Sequence, residues 1–148
     1  MDIGSKCGYP SSALSNFAPH SFTFDGINCT SMEGLLQSFK FDKKPVQVEV
    51  CKLAGLAAKY RGKKRNKAWK RAQKLWWNGQ EYDRHGKEYQ DLLDRAYEAL
   101  FENESFRNAL RASGKSHLTH SMGNSNPSDT VLTEREFCSR LEKLRAKL

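Results

Sequence analysis

One short stretch of the sequence places an acid, an amide and a base at helical spacing. Glu33, Gln37 and Lys40 stand at positions i, i+4 and i+7, so on a helix they lie along one stripe. An apolar stripe that includes Leu36 and Phe39 runs beside it, so both stripes could face the interior. A buried polar stripe of this kind would indicate a functional site.

The same residues have a purely structural interpretation. Thr30 precedes Glu33 by three positions, which is the pattern of a capping box, in which the carboxylate accepts a hydrogen bond from the N-cap backbone N–H. Gln37 and Lys40 would then be solvent-facing residues of an amphipathic helix. Spacing alone leaves both interpretations open.

The length and composition limit the class of protein. With 148 residues, we expect a single domain over residues 1–148. The sequence has no run of about 18 apolar residues that could span a bilayer, and its first residues lack the basic and then apolar order of a signal peptide. We therefore expect a cytoplasmic protein that does not bind membranes.

The cysteines and histidines do not form a metal-binding motif. Neighbouring cysteines are separated by more than twenty residues throughout the chain, so no Cys-x-x-Cys pair exists. His117 and His120 are close together, but in a segment rich in Ser, Gly and Asn rather than beside other ligands. We expect no metal and no disulfide framework.

The net charge of +8 comes from one segment. Nine basic residues and no acids occur from Lys59 to Lys74, and the rest of the chain is close to neutral with 16 basic and 17 acidic residues. Such a cluster favours binding of phosphates, including those of a nucleic acid. Four aromatic side chains in or beside it could stack on a base, or could instead belong to the core beneath a solvated face: Tyr60, Trp69, Trp76 and Trp77.

The periodicity predicts a mostly helical α+β domain that begins with a short β-hairpin. Asp25-Gly26 lies between two short alternating segments, which is a strong hairpin signal. A long loop is expected over residues 113–129, and Thr133 with Glu136 predicts a capping box before the last helix. Four further helices are predicted, over 31–41, from Pro45 through residue 60, over 92–101 and over 106–110. A helical turn is also predicted from Trp69 to Trp77, where Asn78-Gly79 ends it.

Several common enzyme classes lack their motifs here. The sequence contains no phosphate-binding loop, no dinucleotide fingerprint and no nucleophile elbow. With these classes excluded, the remaining candidate is a reaction carried out by a carboxylate beside a phosphate-binding surface. That combination suits cleavage of a glycosidic bond in a phosphorylated ribosyl compound.

The order of several short motifs resembles the NADAR superfamily, which includes the YbiA-like N-glycosidases. The motifs are Leu14–Ala18, Phe24–Gly26 and Thr30–Glu33, followed by Gln37 and Lys40. The resemblance implies a mostly helical α+β domain that acts without a metal or other cofactor. Members split C–N glycosidic bonds, either in riboflavin-pathway ribosylamino phosphate intermediates or between ADP-ribose and guanine bases.

The resemblance also implies roles for individual residues. Glu33 would be the catalytic carboxylate, which positions or deprotonates water and stabilises positive charge on the ribose. Gln37 and Lys40 would support it, and Asn16 and Phe17 would help to form the pocket. We expect contacts with the diphosphate from Lys59, Lys63 and Lys64.

The loop over residues 113–129, called the late loop, departs from the family pattern. Many YbiA-like members carry a Trp-Gly-Asp-Gly segment there, whose acid contributes to the site, and this chain has none. Asp129 could replace that acid, or His120 and Asn124 could line the pocket with other hydrogen-bonding groups.

These expectations lead to one favoured function and two alternatives. The favoured function is an ADP-ribosyl glycohydrolase that removes ADP-ribose from a guanine base in nucleic acid or a nucleotide, because a polynucleotide favours the extended charge of residues 59–74. Such an enzyme would reverse ADP-ribosylation of DNA. The alternatives are an N-glycosidase acting on riboflavin-pathway intermediates and a non-catalytic module that binds ADP-ribose or nucleic acid.

Overall fold

Eight helices and two antiparallel hairpins make up the chain, which confirms the predicted α+β class with an N-terminal hairpin. The computed structural model describes residues 1–148. The strands are β1 (Phe22–Phe24), β2 (Ile27–Cys29), β3 (Lys74–Trp77) and β4 (Gln80–Asp83). The helices are α1 (Ser11–Leu14), α2 (Met32–Ser38), α3 (Lys44–Cys51), α4 (Gly55–Lys63), α5 (Asn66–Ala72), α6 (Lys87–Leu100), α7 (Glu104–Ala112) and α8 (Glu134–Arg145).

The second hairpin corrects the predicted helical turn through Trp69 to Trp77. Helix α5 ends at Ala72, and β3 pairs with β4 across Asn78-Gly79. Both turn residues have positive φ, 52° at Asn78 and 87° at Gly79, which is the geometry of a two-residue hairpin turn. The Asn-Gly pair therefore connects two strands, and it does not end a helix.

The predicted helix from Pro45 through residue 60 is two helices. Helix α3 ends at Cys51 and α4 begins at Gly55, whose φ is +57°. Carbonyl groups at this break approach α2 closely, because a Cβ atom at Gly34 would lie only 2.6 Å from the Leu53 oxygen. The break thus allows α2 to pack against α3 and α4 at short range.

Helix α2 lies inside the protein. Leu35 and Phe39, its C-cap, are completely inaccessible to solvent, and six of the seven residues of α2 are buried, Glu33 being the exception. The surrounding core contains 30 buried residues, among them Trp69 and Trp77. These two tryptophans are therefore core residues and offer no surface for stacking.

The N-terminus and the late loop contact each other. The Ile3 backbone N–H donates to the Thr119 carbonyl at 2.8 Å, and Asp2 and Thr119 form an isolated parallel bridge. The predicted capping box of α8 is present, with Thr133 as N-cap and Glu136 as its partner. None of the helices has the length and apolar character required to cross a membrane.

Candidate functional site

Glu33 lies in the first turn of α2, but it does not cap that helix. Ser31 is the N-cap, and its hydroxyl accepts from the Gly34 N–H at 3.1 Å. The capping-box interpretation of Thr30 and Glu33 is therefore wrong. The Glu33 carboxylate instead accepts from the Gln37 side-chain amide at 2.7 Å, and the residue as a whole is partly buried.

The surroundings of Glu33 favour a proton-accepting role. Burial raises the pKa of this carboxyl, whereas the Gln37 hydrogen bond and the charges of Lys40, Lys59 and His120 lower it. The net shift is upward. A carboxylate whose pKa lies closer to neutrality than usual is better matched to general base catalysis.

Lys40 is a buried cation without a carboxylate at ion-pair distance. Only 6% of the residue is exposed, and its Nζ donates to Asn66 Oδ1 at 2.7 Å. Burial lowers the pKa of Lys40 to about 8, although Glu33 opposes the shift. Asn66 also accepts from Trp69 Nε1 at 3.3 Å. No sequence pattern predicts that Asn66 contributes to the site, because it lies among surface lysines in the sequence.

Gln37 is held between Glu33 and helix α4. Its amide nitrogen donates to Glu33, and its Oε1 is buried without a hydrogen-bond partner. A Cβ atom at Gly62 would overlap this Oε1. The missing side chain at Gly62 therefore creates the space that Gln37 occupies.

Asn16 connects the N-terminal segment to the start of α2. Its backbone carbonyl accepts from the Glu33 N–H at 3.0 Å, and its side-chain Oδ1 accepts from the Tyr97 hydroxyl at 2.8 Å. Because Oδ1 is used in this way, the Nδ2 group of Asn16 remains as a donor for a ligand. Tyr97 belongs to the apolar face of α6, so its spacing gave no indication of this role.

His120 has a fixed ring with one free nitrogen. Nδ1 lies 2.7 Å from the Ile3 carbonyl oxygen, and since a carbonyl only accepts, Nδ1 carries a proton. The ring packs edge-on against Phe137, with centroids 5.4 Å apart. A Cβ at Gly123 would come within 2.8 Å of the ring. Nε2 makes no hydrogen bond within the protein and is available to a ligand.

The other two predicted residues of the late loop bond locally. The Asn124 side chain accepts from the Asn126 N–H at 2.8 Å, and the Asp129 carboxylate accepts from the Asn126 amide at 3.0 Å. Both residues are exposed, and neither forms a hydrogen bond or ion pair with Glu33. His120 is thus the member of the predicted late-loop set whose charge reaches Glu33.

The predicted phosphate contacts lie on α4 and just after it. Lys59, Lys63 and Lys64 are all exposed, and Lys59 is close enough to Glu33 for its charge to lower the pKa of that carboxyl. Two arginines of the same segment are engaged within the protein. Arg61 and Arg65 lie 4.8 and 5.9 Å from the centroid of the Phe41 ring.

Phe17 lies in a second surface region. It lines a cavity of about 360 Å³ together with Ala13, Ala18 and His20, and Glu33 is not part of that lining. A groove of about 520 Å³ between α6, α8 and the late loop is polar and also excludes Glu33. No group of three or more His, Cys, Asp or Glu side chains is arranged to hold a metal ion.

Comparison with known sequences establishes the family. Residues 8–146 match the family model described as "Bacteriophage protein GP30.3". The chain belongs to the GP30.3 family of bacteriophage proteins. A relative from Enterobacteria phage T4, the "Uncharacterized 17.1 kDa protein in Gp30-rIII intergenic region", is 39% identical over 150 residues, which cover 100% of this chain and 98% of the T4 protein.

Comparison with solved structures gives a relationship of fold. The NMR structure of the Escherichia coli protein YbiA matches this GP30.3-family chain with a TM-score of 0.63, covering 98% of this chain and 81% of YbiA. The two sequences are 17% identical. The GP30.3-family protein therefore has a YbiA-like fold.

Proposed function

We propose that this protein is a hydrolase that cleaves an N-glycosidic bond between ADP-ribose and a guanine base. The observation that carries the proposal is the environment of Glu33, a carboxylate with raised pKa beside a buried amide and a buried cation. The YbiA-like fold and the NADAR-like order of sequence motifs support the same class of reaction.

The geometry suits water attack on a ribosyl carbon. As the bond from C1′ to the base nitrogen breaks, its electrons leave with the base and positive charge develops on the ribose. The Glu33 carboxylate stabilises that charge and takes a proton from the water that adds to C1′. Gln37 orients the carboxylate through its 2.7 Å hydrogen bond.

Two further groups complete the proposed site. The departing base nitrogen takes up a proton. The doubly protonated form of His120 supplies it from Nε2, while the Ile3 carbonyl holds the proton on Nδ1. Asn16 offers its Nδ2 to the ribose hydroxyls, because Tyr97 occupies its oxygen. In this proposal His120 takes the role of the acid that the Trp-Gly-Asp-Gly segment provides in other YbiA-like proteins.

A non-catalytic ADP-ribose-binding module is the second candidate. It is favoured by the late loop, where Asn124 and Asp129 bond to Asn126 and the loop supplies no carboxylate to Glu33. In that case Glu33 would recognise the ribose without turnover.

The decisive experiment measures ADP-ribose released from an ADP-ribosylated guanine oligonucleotide and from the corresponding modified nucleotide. We expect turnover by the wild type and a loss of about 10²- to 10⁴-fold in Glu33→Gln. Glu49→Gln is the matched control, because Glu49 is an exposed glutamate on α3. Unchanged turnover in Glu33→Gln would contradict the role of this carboxylate.

Two parallel measurements separate the alternatives. A ribosylamino phosphate intermediate of the riboflavin pathway is offered as a second substrate, and selective turnover of it would favour the metabolite N-glycosidase. Calorimetry with ADP-ribose tests the module. Tight binding by a protein that turns over none of these substrates would favour the non-catalytic function.

A further inference from the structure

Helices α4 and α5, with the link between them, expose six cations that form no ion pair. The five ion pairs of the protein all involve residues outside 55–74, so no carboxylate neutralises this segment. The six exposed cations form the basic face: Lys59, Lys63, Lys64, Lys67, Lys70 and Arg71.

The basic face adjoins the Glu33 site. Asn66, the first residue of α5, accepts the 2.7 Å hydrogen bond from Lys40, and Arg65 Nε donates to the Lys40 carbonyl at 3.1 Å. The charge of Lys70 acts on Lys40, and that of Lys59 acts on Glu33. A ligand that follows the basic face therefore passes close to Glu33 and Lys40.

An exposed aromatic ring accompanies these cations. Tyr60 is 57% exposed on α4, and Leu56, one helical turn earlier, is 54% exposed. The Tyr60 hydroxyl makes no hydrogen bond within the protein, and more than half of the residue is exposed to solvent. A solvent-facing ring beside lysines is the arrangement on which single-stranded bases stack.

We propose that the basic face binds the phosphodiester backbone of a single-stranded nucleic acid and that Tyr60 stacks on one of its bases. The inference deepens the proposed function and rests on it for its meaning, because the strand would carry the modified guanine to Glu33. A single strand fits better than a duplex, since paired bases do not expose their faces to Tyr60. It also fits better than a membrane surface, because Leu56 and Tyr60 are the only large apolar side chains exposed on α4 and α5, and the other residues exposed beside the cations are alanines.

The test measures binding of an unmodified, fluorescently labelled DNA strand of about 12 nucleotides by anisotropy. Affinity of the wild type is expected to fall about 50- to 300-fold between about 50 and 200 mM salt, as four to six phosphate contacts require. Combined Lys67→Gln, Lys70→Gln and Arg71→Gln should reduce the logarithmic salt slope by about 2. The matched control neutralises three exposed lysines near α8 and should leave the slope unchanged: Lys115, Lys143 and Lys147.

Tyr60 is tested separately from charge. Tyr60→Ala should weaken strand binding about tenfold, and Tyr60→Phe should restore it, because only the ring face is required. The melting temperature of each variant shows that it remains folded. Equal weakening by both charge triples, or no effect of Tyr60→Ala, would overturn the proposal. Tighter binding to a duplex, or to vesicles containing phosphatidylserine, would also overturn it.

The binding assay does not depend on catalysis. Strand binding without release of ADP-ribose from any modified substrate would contradict the proposed function and leave the basic face as a nucleic-acid surface. Turnover of the modified nucleotide without strand binding would support the proposed function and contradict the role of the basic face as a nucleic-acid surface. The two proposals therefore fail in distinguishable ways.

Discussion

At the scale of single residues, Glu33 and Lys40 link the proposed activity to pH. Burial raises the pKa of Glu33 above its ordinary value of 4.5 and lowers that of Lys40 to about 8. Glu33 must be ionised to accept a proton, and Lys40 must be charged to favour that ionised form. We expect kcat/KM to rise as Glu33 loses its proton and to fall near pH 8 as Lys40 loses its own.

Lys40→Met separates the two limbs of this profile. The variant removes the cation that lowers the pKa of Glu33, so the acidic limb should move to higher pH. The basic limb near pH 8 should disappear. The profile is measured as initial rates of ADP-ribose release. A basic limb that persists unchanged in Lys40→Met would show that another group is responsible.

The same lysine reduces stability. Its pKa falls from 10.5 to about 8 on folding, so charged Lys40 disfavours the folded state by about 3 kcal/mol below that range. The unfolded chain holds the proton more tightly, and the cost therefore decreases as pH rises from 8 to 10.5. Lys40→Met should raise the free energy of unfolding at pH 7 by about 1 to 3 kcal/mol, since loss of the Asn66 hydrogen bond offsets part of the gain.

Urea denaturation at two pH values checks this result. The advantage of Lys40→Met over the wild type should be largest at neutral pH and smaller above pH 8, where the folded wild type has neutral Lys40. Lys43→Met, at an exposed position on the N-cap of α3, is the control and should show no such pH dependence. An advantage that grows with pH would contradict the burial of a charged lysine.

At the scale of elements, Gly62 determines how α4 meets α2. Any side chain at this position would overlap Gln37 Oε1, so Gly62→Ala forces either the helices apart or Gln37 away from Glu33. We expect a loss of about 1 to 3 kcal/mol in the free energy of unfolding and reduced turnover. Chemical denaturation measures the first effect. Gly8→Ala is the control, because a Cβ there meets nothing within 4 Å.

The elements also show which features the sequence could predict. Asp25-Gly26 and the Thr133 capping box were predicted because each depends on neighbouring residues alone. Asn78-Gly79 carries the same local signal as Asp25-Gly26, but the tryptophan spacing before it predicts a helical turn, whereas Trp76 and Trp77 lie on a strand. Ser31 displaced Thr30 as N-cap, a shift of one residue that freed Glu33 from the capping box.

Helical spacing predicted the part of the candidate site along and just after α2, and the comparison with the NADAR motifs added Asn16 and His120. Glu33, Gln37 and Lys40 were found because helical spacing brings them together. Tyr97 and Asn66 were missed because their roles depend on contacts with Asn16 and Lys40, 81 and 26 residues away in the chain. Such contacts follow from tertiary packing and have no periodic signature.

At the scale of the whole molecule, the net charge of +8 comes from residues 59–74, and the basic face exposes six of the nine cations of this segment without counter-charges. Repulsion among these cations destabilises the folded state, and added salt screens it. The buried Arg84–Glu136 pair, with Arg84 only 1% exposed, is screened much less than surface charges. We therefore expect the free energy of unfolding to rise as sodium chloride increases from about 20 to 200 mM.

Combined Lys67→Gln, Lys70→Gln and Arg71→Gln should make this rise smaller and should stabilise the protein at low salt. Neutralising Lys115, Lys143 and Lys147 removes the same charge from a region near acidic residues, including Glu142 beside His117, and should leave the rise unchanged. Urea denaturation at each salt concentration provides the measurement. An equal effect of the two triples would assign the salt dependence to net charge, whereas a specific effect of the first would assign it to the basic face. Repulsion among the cations of the basic face lowers the free energy of unfolding, and a bound polyanion would raise it again. This behaviour is expected of a surface that binds a phosphate backbone.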